Sequence, residues 1–201
     1  MSLFRKFFGS SEDTSKSGKH EEEKSPYSPD VKLPIDEMFT RNFKKNGGKF
    51  LYCENLEEVS ENFINILEEN DWFESEANCY DSRLNYLLDE NKIERNNVKN
   101  PKFLLSSCEN LIADNGSILF SSNQFKHYKP DELPTNMVIF ATTSQLVASK
   151  SDGLRSINFK YTNNRPSNIT TITYFQEAKE DDFLHYGSCH KNLYLLLLED
   201  L

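Results

Sequence analysis

Residues 137–142, "MVIFAT", form a near-continuous apolar run. Such a run suits a strand buried on both faces, which requires cover on both sides of a sheet and is typical of parallel sheets flanked by helices. The sequence around it alternates helical and extended patterns. Ile35, Met38, Phe39 and Phe43 make one helical stripe that opens near Pro34 and ends at Gly47-Gly48. "KFLYC" (49–53) reads as a strand. Asn55 then caps a second helix, with Glu58 three residues on, as in a capping box. Its buried face is expected to be Leu56, Val59, Phe63, Ile66 and Leu67.

"ANCY" (77–80) reads as a strand and "DSRLNYLLDEN" as a short helix. Further strands are expected at "KFLLSSC" (102–108), "SILFSS" (117–122), "NITTITYF" (168–175) and "NLYLLLLED" (192–200), and a helix at "DGLRSINFKYTNN". This alternation predicts an α/β domain with a mostly parallel sheet flanked by helices. It occupies residues 31–201, preceded by a 1–30 tail. Residues 10–30 are rich in Ser, Glu, Lys and Pro and have too little apolar surface to offset ordering entropy, so the tail is expected to be disordered. Leu3, Phe4, Phe7 and Phe8 at its start read as a frayed terminus, with a short docking helix for a partner or membrane surface as the alternative.

The chain has 23 basic and 32 acidic residues, a net charge of −9. That balance argues against nonspecific nucleic-acid binding and against broad adhesion to anionic lipid. No stretch approaches the length of a membrane span. Cys53, Cys79, Cys108 and Cys189 are widely spaced and form no C-x-x-C pair, so they read as small buried hydrophobes in a cytoplasmic protein. None of the four histidines, His20, His127, His185 and His190, stands at clear metal-ligand spacing from another His or a Cys, and no metal site is expected. A Walker loop, a dinucleotide-binding glycine fingerprint and iron–sulfur ligand runs are all missing.

Three loops hold small hydroxyl and amide residues. The first is "ADNGS", with Asp114, Asn115, Gly116 and Ser117; Asn-Gly between apolar runs is a hairpin signal, and Gly116 is expected at positive φ. The second contains Arg165, Pro166, Ser167 and Asn168. The third contains Gly187 and Ser188 before the last strand. Each alone reads as a connection. Together they are expected to converge at strand ends as a pocket for a small anion, with Asp114 the candidate for acid/base work.

At these loops the chain resembles the LUD domain (DUF162) family, whose single-domain members are LutC-like proteins of lactate utilisation. The family's Ala-acidic-Thr-Gly-Ser/Thr stretch corresponds to Ala113-Asp114-Asn115-Gly116-Ser117. Its G-P-S-x-T-x-D-I element corresponds at Pro166, Ser167 and Ile172, and its C-terminal element at Gly187 and "LYLLLL". "ELPTNMVIFATTSQLV" lies between them in the family's order. The likeness runs from about residue 34 to the last residue. Asn115 stands for the family's usual Thr, Asn168 where Arg is common, and Thr171 where Asp is common. An Arg would grip an anion bidentately and Asn cannot, so an anionic ligand would be held differently here.

The resemblance implies a fold related to ribose-phosphate isomerases, sugar-phosphate deaminases and CoA transferases. It also implies an accessory role in bacterial oxidation of L-lactate to pyruvate, with no cofactor on this chain and an iron–sulfur cluster in a partner subunit. Two alternatives stand beside it: a noncatalytic binding or scaffold module with a degenerate site, and an enzyme acting on a phosphorylated or CoA-linked acid. The last needs a positive charge near the pocket, for which Arg165, Lys126 and Lys191 are the sequence candidates. The sequence leaves the oligomeric state open.

Overall fold

Two sheets are stacked where the sequence predicts one. The structure is a computed structural model and describes residues 33–95, 100–175 and 191–200. The tail, its Leu3/Phe4/Phe7/Phe8 segment, His20, His185, Gly187, Ser188, Cys189 and His190 lie outside the described residues.

The large sheet has six parallel strands: β1 (Lys49–Cys53), β2 (Glu76–Cys79), β3 (Glu94–Arg95), β4 (Phe103–Ser107), β7 (Asn136–Thr142) and β10 (Asn192–Leu198), in the order β1-β10-β7-β4-β2-β3. The small sheet, in the order β8-β5-β6-β9, contains β5 (Asn110–Ile112), β6 (Ser117–Ser121), β8 (Leu146–Val147) and β9 (Ile169–Ile172). Here β5–β6 and β6–β9 are antiparallel, while β5–β8 is parallel.

Helix α1 (Ile35–Lys45) buries Phe39 and Phe43. Its acidic first turn, Asp36 and Glu37, and basic last turn, Lys44 and Lys45, complement the helix dipole. It stops at Asn46 because Gly47 takes φ 88°. Helix α2 (Leu56–Asn70) is capped as expected: the Asn55 side chain accepts from the Glu58 amide at 2.9 Å. The Glu58 carboxylate reaches back one residue further, to the Glu54 amide at 2.8 Å. Val59, Phe63, Ile66 and Leu67 are buried; Leu56, in the first turn, is not. Helix α3 (Asn85–Glu90) follows a 3-10 turn at Ser82–Leu84, α4 (Ser122–Phe125) follows β6, and α5 (Lys150–Lys160) follows β8.

Strand alternation sorts the core into layers. Tyr194 and Leu196 of β10, with Phe103 and Leu105 of β4, pack on α2 and α3 together with Trp72. Leu193, Leu195 and Leu197 of β10 point the other way, joining Phe39 and Phe43 of α1 and Leu111, Ile118 and Phe120 of the small sheet. Ile112 and Leu119, on the small sheet's far face, pack on Ile157 of α5. The result is helices, large sheet, small sheet, helix. Among the described residues, no helix is long and apolar enough to cross a membrane.

Candidate functional site

The chain passes from the large sheet to the small one twice. Between β4 and β5 it does so through Cys108 and Glu109; between β7 and β8 it does so through a 3-10 turn, Thr143–Gln145. Gln145 ties the two crossings together, its Nε2 donating to the Cys108 carbonyl at 2.7 Å and the Glu109 carbonyl at 3.1 Å. β2, β4 and β7 are parallel, so their carboxyl ends meet at this point. Ligands of open α/β sheets settle at such strand ends. A cleft of about 510 Å³ opens here.

Each wall is built by a local rule. After β2, Asp81 caps the 82–84 turn by accepting from the Arg83 amide at 3.1 Å. The Arg83 guanidinium folds back on it, Nε to Oδ1 at 2.9 Å and Nη2 to Oδ2 at 2.7 Å. Ser107, the last residue of β4, donates to Asp81 Oδ2 at 2.7 Å. Arg83 and Ser107 together hold the Asp81 carboxyl down at about 2. From the small sheet come Asn123 and Gln124 of α4, and Lys160 and Tyr161 at the end of α5.

Behind that second wall lies Glu109, whose side chain has 0% exposure. Its carboxylate accepts from Ser121 Oγ at 2.7 Å, Gln124 Nε2 at 3.1 Å, Lys160 Nζ at 3.0 Å and the Tyr161 hydroxyl at 3.1 Å. Burial alone would push its pKa up, but the donors outweigh it and the group sits below the usual glutamate value. A buried carboxylate is tolerable only with such compensation.

The two ion pairs share an orientation. Asp81 is 16% exposed and its partner Arg83 is 79% exposed; Glu109 is 0% exposed and its partner Lys160 is 55% exposed. In each, the carboxylate is the inner member and the cation the outer one. A cleft with balanced formal charge therefore presents two positive ends. Arg83 engages Asp81 through Nε and Nη2, which leaves its Nη1 side as the outer edge of the guanidinium.

The structure does not bring the sequence-predicted site residues together. Asp114, Asn115 and Gly116 lie in the β5–β6 turn and Ser117 opens β6; Gly116 has the expected positive φ, 67°. The turn packs on α1: Asn42 Nδ2 donates to the carbonyls of Ala113 and Asp114 at 2.8 and 3.1 Å, and Asn46 Nδ2 to that of Asn115 at 2.7 Å. Asn115 Oδ1 in turn accepts from the Ser117 amide at 3.1 Å. Ser167 and Asn168 lie at the other end of β6, because β9 pairs with it antiparallel and Ile169 sits opposite Ser121. There the Ser167 amide donates to Ser122 Oγ at 3.0 Å and the Asn168 carbonyl accepts from the Ser122 amide at 2.9 Å. Arg165 is exposed nearby. The length of β6 thus separates two of the three loops, and Gly187 and Ser188 lie outside the described residues.

Asn168 instead lines a smaller hollow of about 250 Å³ with Lys126, Lys129 and Ser122. The Lys126 ammonium sits 4.1 Å from the ring centroid of Tyr80, which lines the main cleft. Lys191 is buried, donating to the Leu133 carbonyl at 2.7 Å. Cys53, Cys79 and Cys108 are free and buried, as expected. No cluster of His, Cys, Asp and Glu among the described residues could hold a metal ion.

Sequence reasoning missed Asp81, Arg83, Glu109 and Lys160. A signal existed for one: Glu109 is the single charged residue between Phe103 and Ala113. A charge inside a stretch otherwise fit for burial calls for a partner.

A mostly parallel sheet flanked by helices, with a second small sheet stacked on it, defines an α/β class of fold. Within it, the chain has a DUF162-type fold. The crystal structure of a DUF162 family protein from Deinococcus radiodurans superposes with a TM-score of 0.57, covering 83% of this chain and 96% of that one at 11% identity. No family model and no curated protein sequence matches the chain.

Proposed function

We propose that the chain is a non-redox subunit that binds a small carboxylate-bearing metabolite in the cleft, in support of L-lactate oxidation to pyruvate. The observation that carries the binding reading is the shared orientation of the two ion pairs, which turns the Arg83 and Lys160 ends outward from a half-buried and a buried carboxylate. A 2-hydroxy acid fits this chemistry. Its carboxylate can take the outer edge of the Arg83 guanidinium, and its hydroxyl can both donate and accept beside Ser107, Asn123 and Thr142. The lactate assignment rests on the sequence resemblance and the DUF162-type fold. On this reading the redox centre, an iron–sulfur cluster, belongs to a cytoplasmic partner protein, because electron transfer needs a cofactor.

Titration calorimetry of the purified chain with L-lactate and pyruvate tests the binding. Saturable heat is expected, with affinity falling at least tenfold in Arg83→Met. No heat from any carboxylate, or undiminished affinity in the variant, rejects the cleft as the site. The lactate assignment is tested by an electron-acceptor assay: turnover is expected only with iron–sulfur partner proteins added, and turnover by the chain alone rejects the subunit role.

A further inference from the structure

The main cleft is larger than a three-carbon acid requires. Such an acid displaces only a few waters, on the order of 100 Å³ at one water's share of liquid volume each, whereas the cleft holds about 510 Å³. The space beyond Arg83 is not bare. It reaches Lys160 and Tyr161, which come from the small-sheet side of the cleft. Tyr161 lies under the Lys160 ammonium, 5.0 Å from ring centroid to Nζ. The two cationic ends therefore line one cleft, with the phenol beside the second of them.

We infer that the cleft has two anion-binding positions, Arg83 and the Lys160–Tyr161 pair, that Glu109 is the positioning residue for the second, and that the preferred ligand carries two anionic groups on one short chain. This rests on the reading that the cleft is the ligand site. Glu109 does not line the cleft. It acts through residues that do, because Lys160, Tyr161 and Gln124 all donate to its carboxylate. Left alone, a lysine at a helix end is a flexible four-carbon stem with a hydrated head. Tied to a buried carboxylate that Ser121 also holds, the ammonium keeps one place and still has donors to offer a ligand. Burial of Lys160 acts against its charge, but the contacts with Tyr161 and Glu109 prevail and raise its pKa, so the position stays cationic.

The second anionic group is a carboxylate or a phosphate, and the chemistry of a lysine–phenol pair accepts either. Calorimetry of the full chain with L-lactate, L-malate and 3-phosphoglycerate separates them. Malate, phosphoglycerate or both should bind at least tenfold more tightly than lactate, and whichever gains identifies the group. Lys160→Met should remove that advantage, and Lys160→Arg should keep most of it. Glu109→Gln should also shrink the ratio of dianion to lactate affinity. A purely structural Glu109 would lower the melting temperature and weaken both ligands in proportion, leaving the ratio unchanged. Equal affinity of the wild type for lactate and for both dianions, or an advantage that survives Lys160→Met, overturns this inference while leaving the cleft as the lactate site. Binding of none of the three ligands overturns both.

Discussion

A Cβ atom placed on Gly116 would lie 2.3 Å from the amide nitrogen of Phe43. The obstruction is backbone, with the Asn42 carbonyl carbon at 2.4 Å as well, so no rotamer change relieves it. Gly116 also has φ 67°, a conformation that costs an L residue about 1–2 kcal/mol by itself. The turn that looked like a ligand loop is thus the seat of helix α1.

Gly116→Ala is therefore expected to destabilise the protein by about 3 kcal/mol or more, strain and overpacking together. Urea denaturation followed by far-UV circular dichroism measures it. A loss below about 1 kcal/mol would mean that α1 can withdraw from the turn at little cost.

What the sequence disclosed follows from burial. β7 and β10 were legible because a strand covered on both faces has no polar position to hide it, and α2 because Asn55 and the Val59/Phe63/Ile66/Leu67 stripe agree. The second sheet was not legible. β5 is three residues long and β8 two, too short to show a period, and "SILFSS" reads alike in either sheet. The site was hidden for a different reason. Asp81, Glu109 and Lys160 are far apart in sequence and each has an ordinary local reading as turn cap, lone acid or helix-end base. Only the two chain crossings bring them together.

The Asp81 pair makes a pH prediction. Its folded pKa of about 2 is below the ordinary 3.8, so its contribution is present above roughly pH 4 and is lost as pH falls toward 2. Glu109, also lowered, adds in the same direction. Because Arg83 is largely exposed, water screens the pair, and its share is about 1 kcal/mol. Urea midpoints measured from pH 6 to pH 2.5 should fall, and the acid limb should be shallower in Arg83→Met. Parallel limbs in the two proteins would show that this pair does not carry the acid sensitivity.

Thiol chemistry follows from the core. Burial pushes the Cys53 and Cys79 thiols up to about 11 and raises Cys108 as well. Thiolate is the reactive form, so all three should be silent toward Ellman's reagent at pH 8 in the native protein and react together in denaturant. Any fast native thiol should then disappear in Cys189→Ser. A fast phase that survives that substitution would place an open site at one of the three buried cysteines.

Asp114 decides between the turn and the cleft. Its side chain is exposed, and it is held through the backbone: its amide donates to the Ala148 carbonyl at 3.1 Å and its carbonyl accepts from Asn42 at 3.1 Å. Alanine keeps both bonds. Asp114→Ala should therefore alter stability by no more than about 0.5 kcal/mol. Its carboxylate is also absent from the cleft wall, where Arg83 and Lys160 stand. Calorimetry with L-lactate on Asp114→Ala and Arg83→Met, run side by side, separates the two locations. Binding should persist in the first variant and weaken at least tenfold in the second. The opposite pattern, binding lost with Asp114 and kept without Arg83, would move the ligand site to the β5–β6 turn and leave the cleft without a role.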